Sequence, residues 1–208
     1  MGKAQILTGL SCLLFQMLFC GNAMPFQMRR LLYLYGKDIL GSDQFHQAFG
    51  QTHHKCMTVA DHSLGVCVIC LYICLILKKI HISVHVRDLT VAALCHDLGI
   101  MGRYEKYRNN IECCGRHPVD SLDCIRDLIG EGEYNDIIEN SVRRHMWPLT
   151  PVPPRYREGV ILTTADKVSA VMERMGLSPA RKLDREHIMC LCPSSESAAE
   201  VSAEDLPA

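Results

Sequence analysis

The amino-acid sequence predicts an all-α protein with one sizeable core. Apolar residues recur in blocks at helical spacing, and the alternating β-branched residues that mark strands are almost absent. Aromatic residues make up only 6% of the chain, which also argues against a sheet, since strands are enriched in them. The 208 residues, 48% of them hydrophobic, are enough to bury a single core.

Composition at the two ends of the chain sets the expected domain organisation. Residues 1–23 form an apolar segment with a run from Ile6 to Phe19. This segment is a weak signal or lipoprotein-like peptide, an N-terminal helix packed on the domain, or an over-extended start. Residues 24–192 are expected to form the folded domain. Residues 193–208, rich in Ser, Ala, Glu and Pro, are expected to be a disordered tail.

Two helices are predicted early in this domain. Residues 28–40 are amphipathic and are followed by the turn Gly41-Ser42-Asp43. Residues 64–77 are apolar almost without a break, and a run of that length is too short to cross a bilayer. It therefore predicts a fully buried central helix, with His62 at its entrance.

The next predicted helix ends in the adjacent pair His96-Asp97. Asp88 is the expected N-cap of this helix, and Gly99 is well placed to end it in a left-handed conformation. Burying an imidazole beside a carboxylate costs free energy unless both groups are satisfied. A metal ion satisfies both, because His offers a neutral nitrogen and Asp an anionic oxygen that can bridge two ions.

Three further helices are predicted after a polar, irregular loop over residues 100–115. The first covers residues 117–129 and places Pro118 at the first helical position, where proline is favoured. The second covers residues 134–145. The prolines that follow predict a rigid connection of extended or polyproline character, and the last helix covers residues 157–175.

Side chains of metal-ligand type lie on or at the ends of these separate helices. If they point inward, they form a cup of four imidazoles and two carboxylates, the kind of site that helical bundles build around metal ions. A single tetrahedral ion needs fewer ligands, so two ions that share Asp97 are expected. The predicted ligands are His62, His96, Asp97, His117, His145 and Asp166.

The order of these residues, H…HD…H…H…D, resembles the HD-domain phosphohydrolase superfamily. Its first two elements are matched by Asp61-His62-Ser63-Leu64 and Leu94-Cys95-His96-Asp97-Leu98-Gly99. The stretches His117-Pro118, Arg144-His145-Met146-Trp147-Pro148-Leu149-Thr150 and Ala165-Asp166-Lys167 resemble a bacterial subgroup of HD proteins more closely. The resemblance covers about residues 44–176 and implies an HD-domain helical bundle.

The resemblance also implies how the ligands divide between two ions. By this resemblance His62, His96, Asp97 and Asp166 match the ligands of a first metal. Asp97 would bridge to a second metal held by His117 and His145, as in the two-metal members of the superfamily. Those members include HD-GYP cyclic-dinucleotide phosphodiesterases and bacterial dinucleoside tetraphosphate hydrolases.

One departure from the HD-GYP pattern bears on the substrate. The lysine that usually follows the HD-x-G turn is absent, and Met101-Gly102-Arg103 stands in its place. The GYP signature is missing as well. Both differences argue against cyclic-dinucleotide cleavage.

The function expected from these residues is hydrolysis of a phosphate ester or anhydride in a small, nucleotide-like substrate. The two divalent ions are expected to be iron or manganese, since histidine-rich sites suit these metals better than magnesium. They would share a hydroxide that attacks the phosphorus atom. The expected catalytic residues are Asp97, Lys167 and His54, and the expected phosphate contacts are Lys167, Arg103 and Arg144.

Two neighbouring histidines have an open role. His53 and His54 precede the first ligand closely enough to support the ligands or to protonate a leaving group. An ordinary polar loop explains them equally well. Two other functions are also open for the chain as a whole: a di-iron oxygenase similar to inositol oxygenase, and a non-catalytic domain that binds a nucleotide.

Charge and cysteine usage limit the expected partners and location. A formal net charge of −1 and a pI near 6.8 argue against a nucleic-acid partner or an anionic membrane surface. The twelve cysteines are not spaced like a disulfide framework, which predicts a reducing, cytoplasmic location. Residues 1–23 leave membrane association or export as the alternative.

Overall fold

The computed structural model describes residues 24, 26–54, 57–177 and 180, and this part of the chain is a bundle of helices. The all-α prediction is confirmed. The helices are α1 (Phe26–Leu40), α2 (Asp43–Gln47), α3 (Val59–Lys79), α4 (Val86–Cys95), α5 (Arg103–Lys106), α6 (Asn110–Ile129), α7 (Asp136–Arg144) and α8 (Arg157–Arg174). The predictions for residues 1–23 and 193–208 lie outside the described residues.

Helix α3 is the centre of the bundle and packs against α4 and α8. It begins earlier than the apolar run suggested, because the Thr58 hydroxyl caps it by accepting from the backbone N–H of Asp61. At 21 residues it is long and apolar enough to cross a membrane by length and composition. However, 78% of its most apolar window is buried inside the protein. The central helix is therefore buried inside the protein, as expected. The argument that it is too short to cross a bilayer was wrong.

A two-stranded hairpin precedes α3 and was not predicted from the sequence. Strands β1 (Thr52–His54) and β2 (Met57–Thr58) pair antiparallel, with Thr52 opposite Thr58. The backbone N–H of Val59 donates to the carbonyl of Gln51 at 2.9 Å, so the hairpin is tied to the first turn of α3. Strands of two and three residues are too short to show a period of two.

Helix α4 and the turn after it differ in two details from the prediction. The helix begins at Val86, so Asp88 lies in its first turn rather than at its N-cap, and there Asp88 pairs with Arg87 at 2.9 Å. Gly99 does not adopt a left-handed conformation, since it lies in a 3₁₀ turn over Leu98–Ile100. The residue with positive φ in this region is Gly102 (φ 71°).

Glycine is needed at position 99 because the backbone there lies very close to the backbone of α6. A Cβ at this position would lie 2.5 Å from the carbonyl oxygen of His117 on α6, well inside van der Waals contact. The Ser121 hydroxyl accepts from the N–H of Gly99 at 2.9 Å and donates to the carbonyl of His96 at 2.6 Å. The absence of a side chain at Gly99 thus lets the His96-Asp97 turn pack directly on α6.

Helix α6 starts seven residues earlier than predicted. The side chain of Asn109 caps it by accepting from the backbone N–H of Glu112 at 2.9 Å. Pro118 therefore lies inside the helix, not at its first position. The region expected to be an irregular loop contains the 3₁₀ turn, α5 and the first turns of α6.

The last two long helices lie close to their predicted bounds. Asn135 caps α7 by accepting from the N–H groups of Ile137 and Ile138. The segment after α7 begins with turns over residues 145–150, and its Trp147-Pro148 peptide bond is cis. Helix α8 ends at Arg174, one residue before the predicted end.

Candidate metal centre

Asp97 lies at the centre of a cluster of imidazoles, and its two carboxylate oxygens face different histidines. Oδ1 lies 3.1 Å from Nε2 of His117 and 3.5 Å from Nε2 of His145. Oδ2 lies 3.5 Å from Nε2 of His96 and 3.9 Å from Nε2 of His62. One carboxylate thus connects two groups of ring nitrogens.

These side chains come from separate helices that converge on the buried turn after α4. His62 lies in the first turns of α3, His96 and Asp97 directly follow α4, and His117 lies on α6. The cluster also includes His145 at the C-cap of α7 and Asp166 on α8. All six are buried. The structure therefore brings together every residue that the sequence predicted as a metal ligand.

Three of the histidines use their inner ring nitrogen to hold the backbone. The Nδ1–H group of His96 donates to the carbonyl of Ala93 at 2.9 Å. In the same way, His117 donates to Cys113 at 2.8 Å and His145 donates to Val142 at 2.7 Å. A carbonyl oxygen only accepts, so Nδ1 carries the proton in each ring. Nε2 is therefore the nitrogen that each ring presents to Asp97 and leaves for a metal ion, as in a metal-binding histidine.

His62 is held differently, between two carboxylates of α8. Its Nδ1 lies 2.9 Å from Oε1 of Glu173, and its Nε2 lies 3.1 Å from Oδ1 of Asp166. Ser169 also donates its hydroxyl to Glu173 Oε1 at 2.9 Å. Positions 166, 169 and 173 lie on one face of α8 at helical spacing, and this face therefore orients the His62 ring.

Burial and these contacts determine which groups carry protons in the metal-free protein. Burial lowers the pKa of His96 to about 4, so this ring is neutral at pH 7. Burial alone would also lower the pKa of His62, but its hydrogen bonds to Asp166 and Glu173 raise it to about 10. For His117 the hydrogen bond to Asp97 likewise outweighs burial and raises the pKa to about 10.

The two carboxylates are ionised. Burial would raise the pKa of Asp97, but the electrostatic influence of the surrounding imidazoles and the hydrogen bonds with His117 and His145 hold it well below its usual range. The hydrogen bond from His62 does the same for the pKa of Asp166. Two buried carboxylates that stay anionic require cations beside them, and protons on His62 and His117 fill that need when no metal is bound.

Several features of the cluster fit a metal ion. Nε2 of His117 and Nε2 of His145 lie 3.1 Å apart, so a proton or a metal ion is needed between these two ring nitrogens. Nε2 of His96 is buried and makes no hydrogen bond with any described residue. The ligand atoms of His62, His96 and Asp166 all lie within 4.8 Å of one another, as do those of His96, Asp97 and His145.

The residues predicted to act on the substrate lie at different distances from this cluster. Nζ of Lys167 donates to Oδ2 of Asp166 at 2.7 Å and to the carbonyl of His145 at 3.1 Å, and its side chain is 38% exposed. Arg144 precedes a cluster residue, and its Nε is buried without a hydrogen bond to any described residue. Arg103 contacts Asn110 and the Tyr104 ring rather than the cluster.

The structure also shows neighbours of the cluster whose part the sequence analysis missed. Glu173 had a visible signal, since it follows Asp166 at a spacing that puts both on one helical face. The sequence favours His54 over its neighbour His53 as a catalytic residue. His54 ends β1, and the structure describes its backbone alone. Nε2 of His53 lies 3.4 Å from Oδ2 of Asp97.

The part of the chain that carries this cluster matches the model of a known protein family. Residues 59–171, more than half of the chain, match the HD domain. The match begins at the first residue of α3 and includes all six predicted ligands. No curated protein and no solved structure matches the chain.

Proposed function

Because the chain belongs to the HD domain family, we propose that it is a metal-dependent phosphohydrolase that cleaves an ester or anhydride bond in a small, nucleotide-like substrate. The observation that carries this proposal is the position of Asp97, whose two oxygens face separate groups of ring nitrogens at 3.1–3.9 Å. Such an arrangement suits two cations that share one carboxylate.

The ligand set divides into two sides of Asp97. On the Oδ2 side, His62, His96 and Asp166 would hold one ion. On the Oδ1 side, His117 and His145 would hold the other. With Asp97 counted on both sides, ring nitrogens make up at least half of each ligand set, which favours iron or manganese over magnesium, a metal that prefers oxygen ligands.

Divalent ions bound at these positions would lower the pKa of water and so supply a nucleophile at neutral pH, and they would offset the charge that develops on the phosphate oxygens. The chain itself contributes orientation. The backbone carbonyls of Ala93, Cys113 and Val142 fix three rings by accepting from their Nδ1–H groups, so little reorganisation accompanies binding.

Two basic side chains are suited to bind the substrate phosphate. The side chain of Lys167 is 38% exposed. Its Nζ donates to Oδ2 of Asp166 and to the carbonyl of His145, so a third N–H remains to donate to a phosphate oxygen. Arg144 adjoins His145 and has no ion pair with any described residue, so its guanidinium can pair with an anion. Arg103 is a weaker candidate, since its contacts lie with Asn110 and Tyr104.

The test is phosphate release by protein purified without oxygen and loaded with Fe²⁺, Mn²⁺, Co²⁺ or Mg²⁺. We expect turnover of at least one nucleotide or phosphate ester with iron or manganese, and little with magnesium. Asp97→Ala should lose activity by about 1,000-fold or more, because it removes the carboxylate that both ions share and a bound ion supplies several kcal/mol of transition-state stabilisation. The matched control is Asp123→Ala, since Asp123 is a surface residue of α6 with 74% of its side chain exposed.

Two results would contradict this proposal. One is the absence of phosphate release from a broad nucleotide panel with every metal. The other is consumption of dioxygen by the iron-loaded protein in the presence of a substrate, which would assign the same ligand set to an oxygenase.

A further inference from the structure

The hairpin before α3 brings one more imidazole to the cluster. His53 lies on β1, and its Nε2 is 3.4 Å from Oδ2 of Asp97. Its side chain is 9% exposed, and its ring centroid lies 4.5 Å from that of His62. His53 lies outside residues 59–171, so the family match assigns it no role.

Two hydrogen bonds of Gln51, two residues before His53, hold the hairpin in place. The carbonyl of Gln51 accepts from the N–H of Val59 at 2.9 Å, which joins the hairpin to the helix that carries His62. The side-chain oxygen of Gln51 accepts from the N–H of Gly102 at 3.2 Å, which joins it to the chain after the His96-Asp97 turn. The hairpin is therefore held against two segments that carry ligands.

Distances decide whether His53 can share an ion with its neighbours. Two ligand atoms that each lie about 2.1 Å from one ion are at most about 4.2 Å apart. Nε2 of His53 is 3.4 Å from Oδ2 of Asp97, and Nε2 of His62 is 3.9 Å from the same oxygen. Ligand atoms of all three residues lie within 4.8 Å of one another. The set therefore fits around one ion with small adjustments.

We propose that His53 is an additional ligand of the ion on the Oδ2 side of Asp97. This inference rests on the metal centre of the proposed function. His53 adds an imidazole to a side that already holds His62, His96 and Asp166, so the ion there has the larger ligand set, with three ring nitrogens. Such a set strengthens the preference for iron, manganese or cobalt over magnesium.

A supporting role for His53 makes a different prediction. In that role the ring only donates a hydrogen bond to Asp97 and does not touch the ion. A glutamine at the same position keeps an N–H donor but offers no imidazole. His53→Gln therefore removes the imidazole ligand but keeps a hydrogen-bond donor, whereas His53→Ala removes both.

The experiment is a Co²⁺ titration of the full chain in the absence of oxygen, monitored by visible absorption spectroscopy. Metal analysis then measures the amount of bound cobalt. The variants are wild type, His53→Gln, His53→Ala and the control His46→Ala, whose histidine is exposed on α2. We expect His46→Ala to match wild type. Both His53 variants should bind one of the cobalt ions at least about 100-fold more weakly, more than the usual cost of losing a supporting group. Their absorption bands should also shift.

Chemical rescue gives a second readout. Added imidazole should restore the wild-type cobalt spectrum in His53→Ala, because it fills the vacated ligand position. His53→Gln with wild-type affinity and spectrum would overturn the proposal and leave His53 a hydrogen-bond donor. Wild-type protein that binds no cobalt would overturn the metal centre itself, and with it the proposed function. Circular dichroism of His53→Gln establishes that the variant is folded before either conclusion is drawn.

Discussion

The two sides of Asp97 differ in one respect: His96 on the Oδ2 side is held by a backbone carbonyl like the rings on the Oδ1 side, but only the Oδ2 side also has a ring held by carboxylates. On the Oδ2 side, His62 lies between the carboxylates of Asp166 and Glu173, at 3.1 and 2.9 Å. On the Oδ1 side, His117 and His145 are held by neutral backbone carbonyls at 2.8 and 2.7 Å. We refer to these as the carboxylate side and the carbonyl side.

The difference shows how one fold can hold two cations with unequal strength. A carboxylate that accepts from a ligating imidazole makes that ring a stronger ligand, and it adds negative charge near the ion. A backbone carbonyl orients the ring but adds no net charge. We therefore expect the ion on the carboxylate side to bind more tightly, and a chelator to remove the ion on the carbonyl side first.

Gly99→Ala should have the largest effect of these substitutions, and it should weaken metal binding on the carbonyl side. The added Cβ would lie 2.5 Å from the carbonyl of His117, so α6 must move away from Asp97. Overpacking costs about 1–3 kcal/mol and occasionally more, and contact with backbone atoms puts this substitution at the upper end of that range. We expect loss of the more weakly held ion and a lower midpoint in urea denaturation.

The control for that substitution lies on α6, the helix that Gly99 approaches. Gly115→Ala places a Cβ where no atom lies within 4 Å, and in a helix it should leave stability unchanged or raise it by up to about 1 kcal/mol. Equal loss of metal in the two variants would show that the close approach at Gly99 does not position His117.

Glu173→Gln should act on the carboxylate side alone. The variant keeps the size of the side chain but removes the charge that accepts from Nδ1 of His62. We expect affinity for the more tightly held ion to fall about 10- to 100-fold, with the second ion unaffected, as competition with a chelator would measure. Glu133→Gln, at a position where 64% of the side chain is exposed, is the control. A fall in affinity at the other ion instead would contradict the assignment of Glu173 to His62.

A dependence of metal affinity on pH is expected on both sides of Asp97. His62 and His117 each have a pKa raised to about 10 in the metal-free protein, so a proton occupies each ring at pH 7. A metal must displace it, and affinity should therefore rise by about tenfold per pH unit for each proton displaced. Metal competition titrations at pH 6.5, 7.5 and 8.5 would measure this slope, and affinity that is constant with pH would contradict the two raised pKa values.

The same pKa values make the metal-free protein less stable as pH rises. A group whose folded pKa exceeds its unfolded value of 6.5 stabilises the fold fully below pH 6.5 and loses that contribution toward pH 10. A metal-loaded sample should not show this loss between pH 7 and 8, which thermal unfolding with and without chelator would establish.

Much of the fold followed from local patterns. The run of apolar residues in α3 predicted a buried helix, and its capping residue explains why the helix begins earlier. Helix α6 was placed too late because Pro118 favours a first helical position, whereas the Asn109 cap fixed the start upstream. The hairpin carried no detectable period, and its two short strands are stabilised by hydrogen bonds to segments that follow it.

The sequence by itself determined which residues have the chemistry of metal ligands, because histidine and aspartate recur on separate helices in an order typical of the HD family. Only the tertiary structure decided how they are oriented. The carboxylate of Glu173 and the approach of His53 depend on segments that lie far from their partners in the chain. Hydrogen bonds and charges act over a few ångströms of space, so their partners are decided by packing rather than by neighbours in the sequence.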